Sequence, residues 1–484
     1  MSIFLKTYLL SFSLLLLLGA FNLIVDPYGI HDIITINGFN SPKSEMQKHE
    51  KLFKAYMAGK IEPKSVVLGT SRADFGIDPS NKNWQYESGY NMSLAGGDVY
   101  VTRRFMEHIA AIQPPKEVVM GLDFFTFNAM RPQAPDYNGD ILAIRDDGAP
   151  NPYFMRDIFF TSTLSINALI DSYTTVLNSG KSYAQTLNYN TGMRQFIING
   201  NPQDMRKLNQ LKVADKQNGA HASFAKMENL YLKYVYFSGP KREYYFKNPS
   251  TGSSMLEELE KIIAIFKRHD TKVHFFISPA HARQYEVIRN LGLWPMFEQW
   301  KKEVVAILEN EYGDDGYNLW DFSAYNSITT INVPEMSKMR EYIDSTHYSP
   351  YTGDLILSKI FDAEHPSVPE DFGRKINSKT IDFELKRIRD NQQHYIETHG
   401  SDVSEIKKVA INSDFLTENI FIQGGDRPYG AKAFKSTSKI VKGHKLEALR
   451  KIEQGLSTKE ISKKYNLSIK DIHDIDNKYR LSRN

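Results

Sequence analysis

The sequence predicts an α/β fold built on a parallel sheet, and three observations predict it. Short apolar, β-branched runs recur at Ser65–Leu68, Tyr90–Leu94, Glu117–Phe125, Lys272–Ile277 and Tyr317–Phe322. Stretches of helical periodicity separate them, among them Asp98–Ile112, stopped by Pro114-Pro115, and Ser254–His269, with Leu256, Leu259, Ile262, Ile263 and Phe266 on one side. The runs also end abruptly in small or polar residues, as at Gly69-Thr70-Ser71-Arg72 and Ser278-Pro279-Ala280-His281. In an open α/β sheet such ends lie at the carboxyl edge, where ligands bind.

Taken in order, the chain opens on residues 1–25. Lys6 precedes an almost unbroken apolar run to Val25, about 18 residues and near the lower limit for a membrane helix. Gly19-Ala20-Phe21 is a poor signal-peptidase site, so the run reads as an uncleaved signal anchor with its amino end inside, ahead of a cleaved signal peptide and of a buried core helix. That reading exports everything after Asp26. Residues 26–60 form a connector, with Lys43–Met57 a short amphipathic helix. Residues 61–365 hold the α/β domain. Within it, 127–250 break the alternation for roughly 120 residues, far too long for a plain loop. They read as an inserted, mostly helical subdomain over the carboxyl edge. Tyr231, Tyr234, Tyr236, Tyr244 and Tyr245 cluster near its end, either to stack on sugar rings or to pack the insert onto the sheet. Trp294–Glu309 and Tyr348–Phe361 read as further helices.

Residues 366–430 read as a linker with a charged helix, Ile376–His394. Residues 431–484 are strongly basic, with three short helical stretches (446–452, 458–465, 469–479) that resemble a helix-turn-helix. Export argues against nucleic acid as their partner. A small all-α module, docked on the enzyme or on an anionic envelope polymer, is the expectation.

The chain has 484 residues, a net charge of +3 and no cysteine. Disulfides, thiolate metal sites and a cysteine nucleophile are thereby excluded. The charge balance singles out no partner.

Ser71 and the segment Asp344-Ser345-Thr346-His347 supply the candidate chemistry. A serine hydroxyl needs a base, and the base needs a group to orient it. Asp344 three residues before His347 lets a carboxylate reach Nδ1–H and leaves Nε2 free for Ser71. The plainer alternatives are helix capping by Ser71 and Asp344 and a surface position for His347.

Four blocks, Gly69-Thr70-Ser71-Arg72, Asn91-Met92-Ser93-Leu94-Ala95-Gly96-Gly97, Gly121-Leu122-Asp123-Phe124-Phe125 and Asp344-x-x-His347, resemble those of the SGNH (GDSL-like) hydrolases, closest to membrane-anchored members associated with cell-envelope polysaccharide. The resemblance covers roughly residues 61–361. It implies a flavodoxin-like αβα sandwich in three layers. It also implies a serine that carries an acyl group, most simply acetyl, to or from a polysaccharide, as an O-acetyltransferase or esterase that needs no metal or cofactor. Ser71 is then nucleophile, His347 base and Asp344 orienter. Backbone N–H groups of Ser71 and Gly96 are candidate oxyanion donors, and Arg72, Asp123, Asn91 and His281 candidate substrate contacts.

The third block departs from the family, with Asp123 where an Asn donor is expected. An ionised carboxylate only accepts. Asp123 is therefore protonated, binds something else, or holds Arg72. The sequence thus predicts a membrane-anchored, outward-facing acyl-transfer enzyme with polysaccharide and envelope-biosynthesis proteins as partners. The rivals are an inactive polysaccharide-binding scaffold and a DNA-binding protein.

Overall fold

The computed structural model describes residues 3–211, 213–237, 243–314, 316–412 and 421–422. The basic segment 431–484 and its helix-turn-helix reading lie outside the described residues.

The chain begins with α1 (Ile3–Val25), whose first four turns are exposed and whose end is packed. It is long and apolar enough to cross a membrane. The connector then reaches α2 (Glu50–Ile61), later than the sequence suggests. From there strands and helices alternate: β1 (Ser65–Leu68), α3 (Ser71–Gly76), β2 (Gly89–Asn91), α4 (Val99–Ile112) and β3 (Glu117–Leu122). Asp98 caps α4, accepting from the Val101 N–H at 2.8 Å.

The regular structure of the insertion is mostly helical, as expected, but it also carries a small sheet that the sequence did not announce. It holds α5 (Phe154–Thr163), α6 (Ile166–Asn178) and an antiparallel sheet of β4 (Tyr183–Leu187), β5 (Arg194–Ile198) and β6 (Asn201–Pro202), then α7 (Ala220–Leu230) and β7 (Glu243–Tyr244). The β4–β5 turn, with Gly192 at φ +74°, is the hairpin signal the Asn- and Tyr-rich composition obscured.

The main alternation resumes with α8 (Met255–Arg268), β8 (Lys272–Ile277), α9 (Ala282–Asn290), α10 (Trp294–Tyr312), β9 (Leu319–Asp321) and α11 (Pro350–Ile360). Residues 366–412 are not a linker. β10 (Arg374–Lys375) adds an antiparallel edge to β9, and α12 (Ile381–Thr398) and α13 (Gly400–Asn412) pack behind it. Ile381, Leu385, Ile388 and Tyr395 form a buried stripe that the helix's many charges hide from a composition reading.

The central sheet runs β10-β9-β8-β3-β1-β2, and all its pairs except β10–β9 are parallel. Its side chains alternate. Val66, Leu68, Val118, Met120 and Phe275 pack with α2, α4, α8 and α10, while Val67, Val119 and Phe276 pack with α3 and α11. Both faces are therefore covered. Strand order reverses between β1 and β3, which opens a crevice at their carboxyl ends.

α11 closes tightly on α3. A Cβ on Gly353 would lie 1.7 Å from the Gly76 carbonyl oxygen, and one on Gly76 2.0 Å from the Tyr348 ring. Gly353→Ala is thus expected to cost at least about 1–3 kcal/mol, because backbone must move. A fall in the urea midpoint checks this, and an unchanged midpoint would show that the two helices have slack.

Candidate functional site

Ser71 is the first residue of α3, just beyond β1. Thr70 caps that helix by accepting from the Arg72 N–H. The turn needs Gly69, at φ +155°, because a Cβ there would meet Ala73 Cβ at 2.9 Å. On the other side of the site, the segment Tyr342–Tyr348 folds back on itself, with the Ile343 N–H donating to the His347 carbonyl at 2.9 Å.

The two segments meet. His347 Nε2 lies 2.8 Å from Ser71 Oγ, and His347 Nδ1 lies 2.8 Å from Asp344 Oδ2. A carboxylate only accepts, so Nδ1 carries the proton and Nε2 presents its lone pair to the serine hydroxyl. Asp344 Oδ1 accepts the N–H groups of Thr346 and His347, both at 2.9 Å, which fixes the carboxylate plane. This linear relay can activate a serine and pass its proton onward.

The second block lies beside the Ser71 turn, tied by the Leu94 N–H to the Gly69 carbonyl at 2.9 Å. Gly96 is exposed, with φ +67°. Neither its N–H nor that of Ser71 has a hydrogen-bond partner among the described residues. The loop is held from behind by α2. Lys54 donates to the Ser93 carbonyl, Lys51 to the Ala95 carbonyl at 3.3 Å, and the Ala95 N–H donates to Glu50 at 3.0 Å. Sequence reasoning missed these three residues, since nothing local marks them.

Arg72 and Asp123 are paired, Nη1 to Oδ1 at 2.9 Å. Thr70 Oγ1 donates to the other Asp123 oxygen at 2.6 Å, and Arg72 Nε donates to Thr346 Oγ1 at 2.9 Å. Burial is the largest single influence on Arg72 and lowers its pKa, but the Asp123 carboxylate, together with Tyr231, Tyr236 and Tyr285, outweighs it and the net shift is upward. Both side chains are buried, with Phe125 against the guanidinium. Arg72 therefore commits Nε and Nη1 within the protein. It joins the first, third and fourth blocks from inside, and Asp123 is fully occupied in the same contact.

Two further expectations are corrected. Asn91 is buried, with Nδ2 donating to the carbonyls of Ala73 and Ile77 at 2.8 and 2.9 Å and Oδ1 accepting from the Ser93 N–H. It fastens the end of α3 and cannot reach substrate. His281 is also buried. Its Nε2 bonds the Ile331 carbonyl at 2.7 Å, its Nδ1 accepts from the Arg283 N–H, and its own N–H holds the Ser345 carbonyl. It supports the His347 loop from behind. Arg283 is committed to Glu228, Asp402 and Glu405. Of the tyrosines, Tyr231, Tyr236 and Tyr244 pack the insert onto the sheet, while Tyr234 is 63% exposed.

Burial pushes the His281 pKa down to about 3. Between that value and the usual one of about 6.5, the unfolded chain binds the extra proton and the folded one does not. The associated stability is full above about pH 6.5 and is lost as pH falls toward 3. Unfolding at a series of pH values should show this slope, at most about 1.4 kcal/mol per pH unit for one group. His281→Asn should reduce it, and an unaltered slope would assign it to other groups.

The insert supplies a wall that the sequence did not reveal. Phe75, one helical turn after Ser71, lies against the His347 ring at 5.2 Å and against Phe196 of β5 at 5.8 Å. Met205 and Leu208 complete this cluster. Arg194 of β5 pairs with Asp74 and Glu50, and Arg206 with Asp78 and Asp354. The buried Arg194 pairs and the part-exposed Arg206 pairs clamp the insert to α2, α3 and α11.

Fold and site together define an α/β protein with a serine–histidine–aspartate relay at the carboxyl edge of a mainly parallel sheet. The chain matches no known protein-family model and no curated protein.

Proposed function

We propose that this protein is a membrane-anchored serine acyltransferase or esterase with a flavodoxin-like, three-layer SGNH-type domain. Its substrate on this reading is an acylated, most simply acetylated, cell-envelope or extracellular polysaccharide. The observation that carries the proposal is the relay Ser71–His347–Asp344, with both contacts at 2.8 Å.

Ser71 Oγ attacks the acyl carbonyl as His347 Nε2 takes its proton, and Asp344 stabilises the imidazolium. The unpartnered N–H groups of Ser71 and Gly96 are the donors available to the oxyanion. His347 then protonates the leaving oxygen. Water or a sugar hydroxyl resolves the acyl-enzyme, which gives hydrolysis or transfer. α1 anchors the domain, and the lone Lys6 flank orients it outward.

The test is intact-mass analysis of the full chain after brief exposure to an activated acetyl ester. One acetyl adduct, mapped to Ser71, is expected. Its absence under conditions where the protein is folded would remove the assignment. Asp123, in place of the expected Asn donor, favours a second reading, a non-catalytic polysaccharide-binding scaffold.

A further inference from the structure

The helices α5 and α6 of the insertion are built the wrong way round for water. α6 buries Ala168, Ser172 and Thr175 and turns Ile166, Ile170, Tyr173 and Leu177 outward, at 74, 57, 62 and 64% exposure. These four sit at i, i+4, i+7 and i+11, one continuous face. Phe159, Phe160 and Leu164 extend it around the end of α5. The one charge of α6, Asp171, points back into the protein, accepting from Tyr28 Oη at 2.7 Å and pairing with His49 at 3.0 Å. The charges of α5, Arg156 and Asp157, lie at its other end. A soluble amphipathic helix has the opposite arrangement.

The position of this face names its occupant. The α5–α6 turn packs on the last turns of α1. Asn22 Nδ2 donates to the Thr163 carbonyl at 2.9 Å, and Leu164 Cδ2 lies 2.8 Å from where a Gly19 Cβ would be. Gly19 is six residues before Val25, where the apolar run ends. At 1.5 Å per residue the turn therefore reaches about 9 Å below that boundary. Asp171 is level with Tyr28, and Ser179 with Gly38, both beyond the boundary.

We propose that the tip of α5–α6, from Phe159 to Ile170, enters the outer part of the bilayer beside α1. This depth matches that of interfacial amphipathic helices. Tyr173 then lies at headgroup level, where amphipathic rings are favoured. The inference rests on α1 being a membrane helix. With two attachments, the domain cannot pivot on a single helix. The insertion that holds Phe196 against the site also fixes the height of Ser71 above the lipid.

The absence of cysteine allows a direct test on the full chain. Leu164→Cys, Ile166→Cys, Tyr173→Cys and Leu177→Cys each take a nitroxide. Leu16→Cys in α1 reports anchoring, and Phe383→Cys, at a site 68% exposed, reports water. The proteins are reconstituted in phosphatidylethanolamine–phosphatidylglycerol vesicles. Collision with oxygen is then compared with collision with a water-soluble nickel complex. The oxygen-to-nickel ratio should exceed that of the Phe383 site several-fold at positions 164 and 166, and fall through 173 to 177. Nickel access at 164 and 166 equal to that at 383, with 16 in lipid, overturns this inference alone. Shielding of 164 and 166 from both reagents also overturns it, in favour of a covering protein segment or second copy. Nickel access at 16 overturns the anchor as well.

Discussion

Ser71→Ala is expected to lower turnover of a small acetyl ester by roughly 10⁴-fold or more, with the fold intact. Ser71 is only partly buried, and among the described residues its hydroxyl makes one hydrogen bond, to His347. Its removal leaves no buried charge. His347→Ala should fall to a similar level. Asp344→Asn should follow, because the imidazole loses the carboxylate that holds Nδ1–H and turns to the wrong tautomer. The double variant Ser71→Ala/His347→Ala should be little worse than either single one, since the relay acts as a unit. Steady-state kinetics with circular dichroism checks all four. A Ser71→Ala protein that keeps full function in the cell would favour the scaffold reading, and additive losses would contradict the relay.

The second large effect is expected at Arg72, and it is first an effect on stability. Arg72→Ala removes the only cation among the described residues that pairs with Asp123, which is 1% exposed, and so leaves a carboxylate buried beside the Ser71 turn. Breaking such a pair costs about 3–5 kcal/mol. The same change removes the Thr346 contact and with it one hold on the His347 loop, so turnover should fall too. Asp123→Asn should cost less. The amide oxygen still accepts from Arg72, and the guanidinium keeps Thr346 and the Phe125 face. Arg72→Lys should behave more like Ala, because one ammonium cannot reproduce the two-directional fork. Urea unfolding of the three variants ranks them. Equal costs for Arg72→Ala and Asp123→Asn would mean that the pair matters only as a pair. An Asp123→Asn protein that is stable but inactive would give the carboxylate a direct chemical role.

Some of this was legible in the sequence because it is local. A buried parallel strand is a short β-branched run, and β1, β3 and β8 announce themselves within a residue or three. Ser254 and Asp98 mark the starts of α8 and α4 by capping chemistry that needs only neighbouring residues. The pairing of Asp344 with His347 is likewise a matter of three residues on one turn. The apolar stretch to Val25 needs no partner to be read.

What the sequence could not carry is direction. Asn91, Arg72 and His281 are polar residues at strand ends, and the alternatives of facing the cleft or facing inward differ only by which distant groups await them. Those groups are the carbonyls of Ala73 and Ile77, the Asp123 carboxylate and the Ile331 carbonyl. Each buried polar group goes where its hydrogen bonds can be completed, and that is known only once the sheet has brought the segments together. The same holds for α12, whose charges look like a solvated linker until its Ile381–Tyr395 stripe meets the rest of the core.

By itself, then, the sequence determined the order of the five main parallel strands, the apolar amino-terminal helix and the serine, aspartate and histidine of the relay. These depend on residue type and short spacing. The tertiary structure alone decided that Ser71 and His347 touch across 276 residues, that Arg72 and Asp123 lie behind the site, and that α5–α6 turns its apolar face outward beside α1. Those outcomes depend on packing between segments far apart in the chain, where burial and hydrogen-bond completion outweigh any local preference.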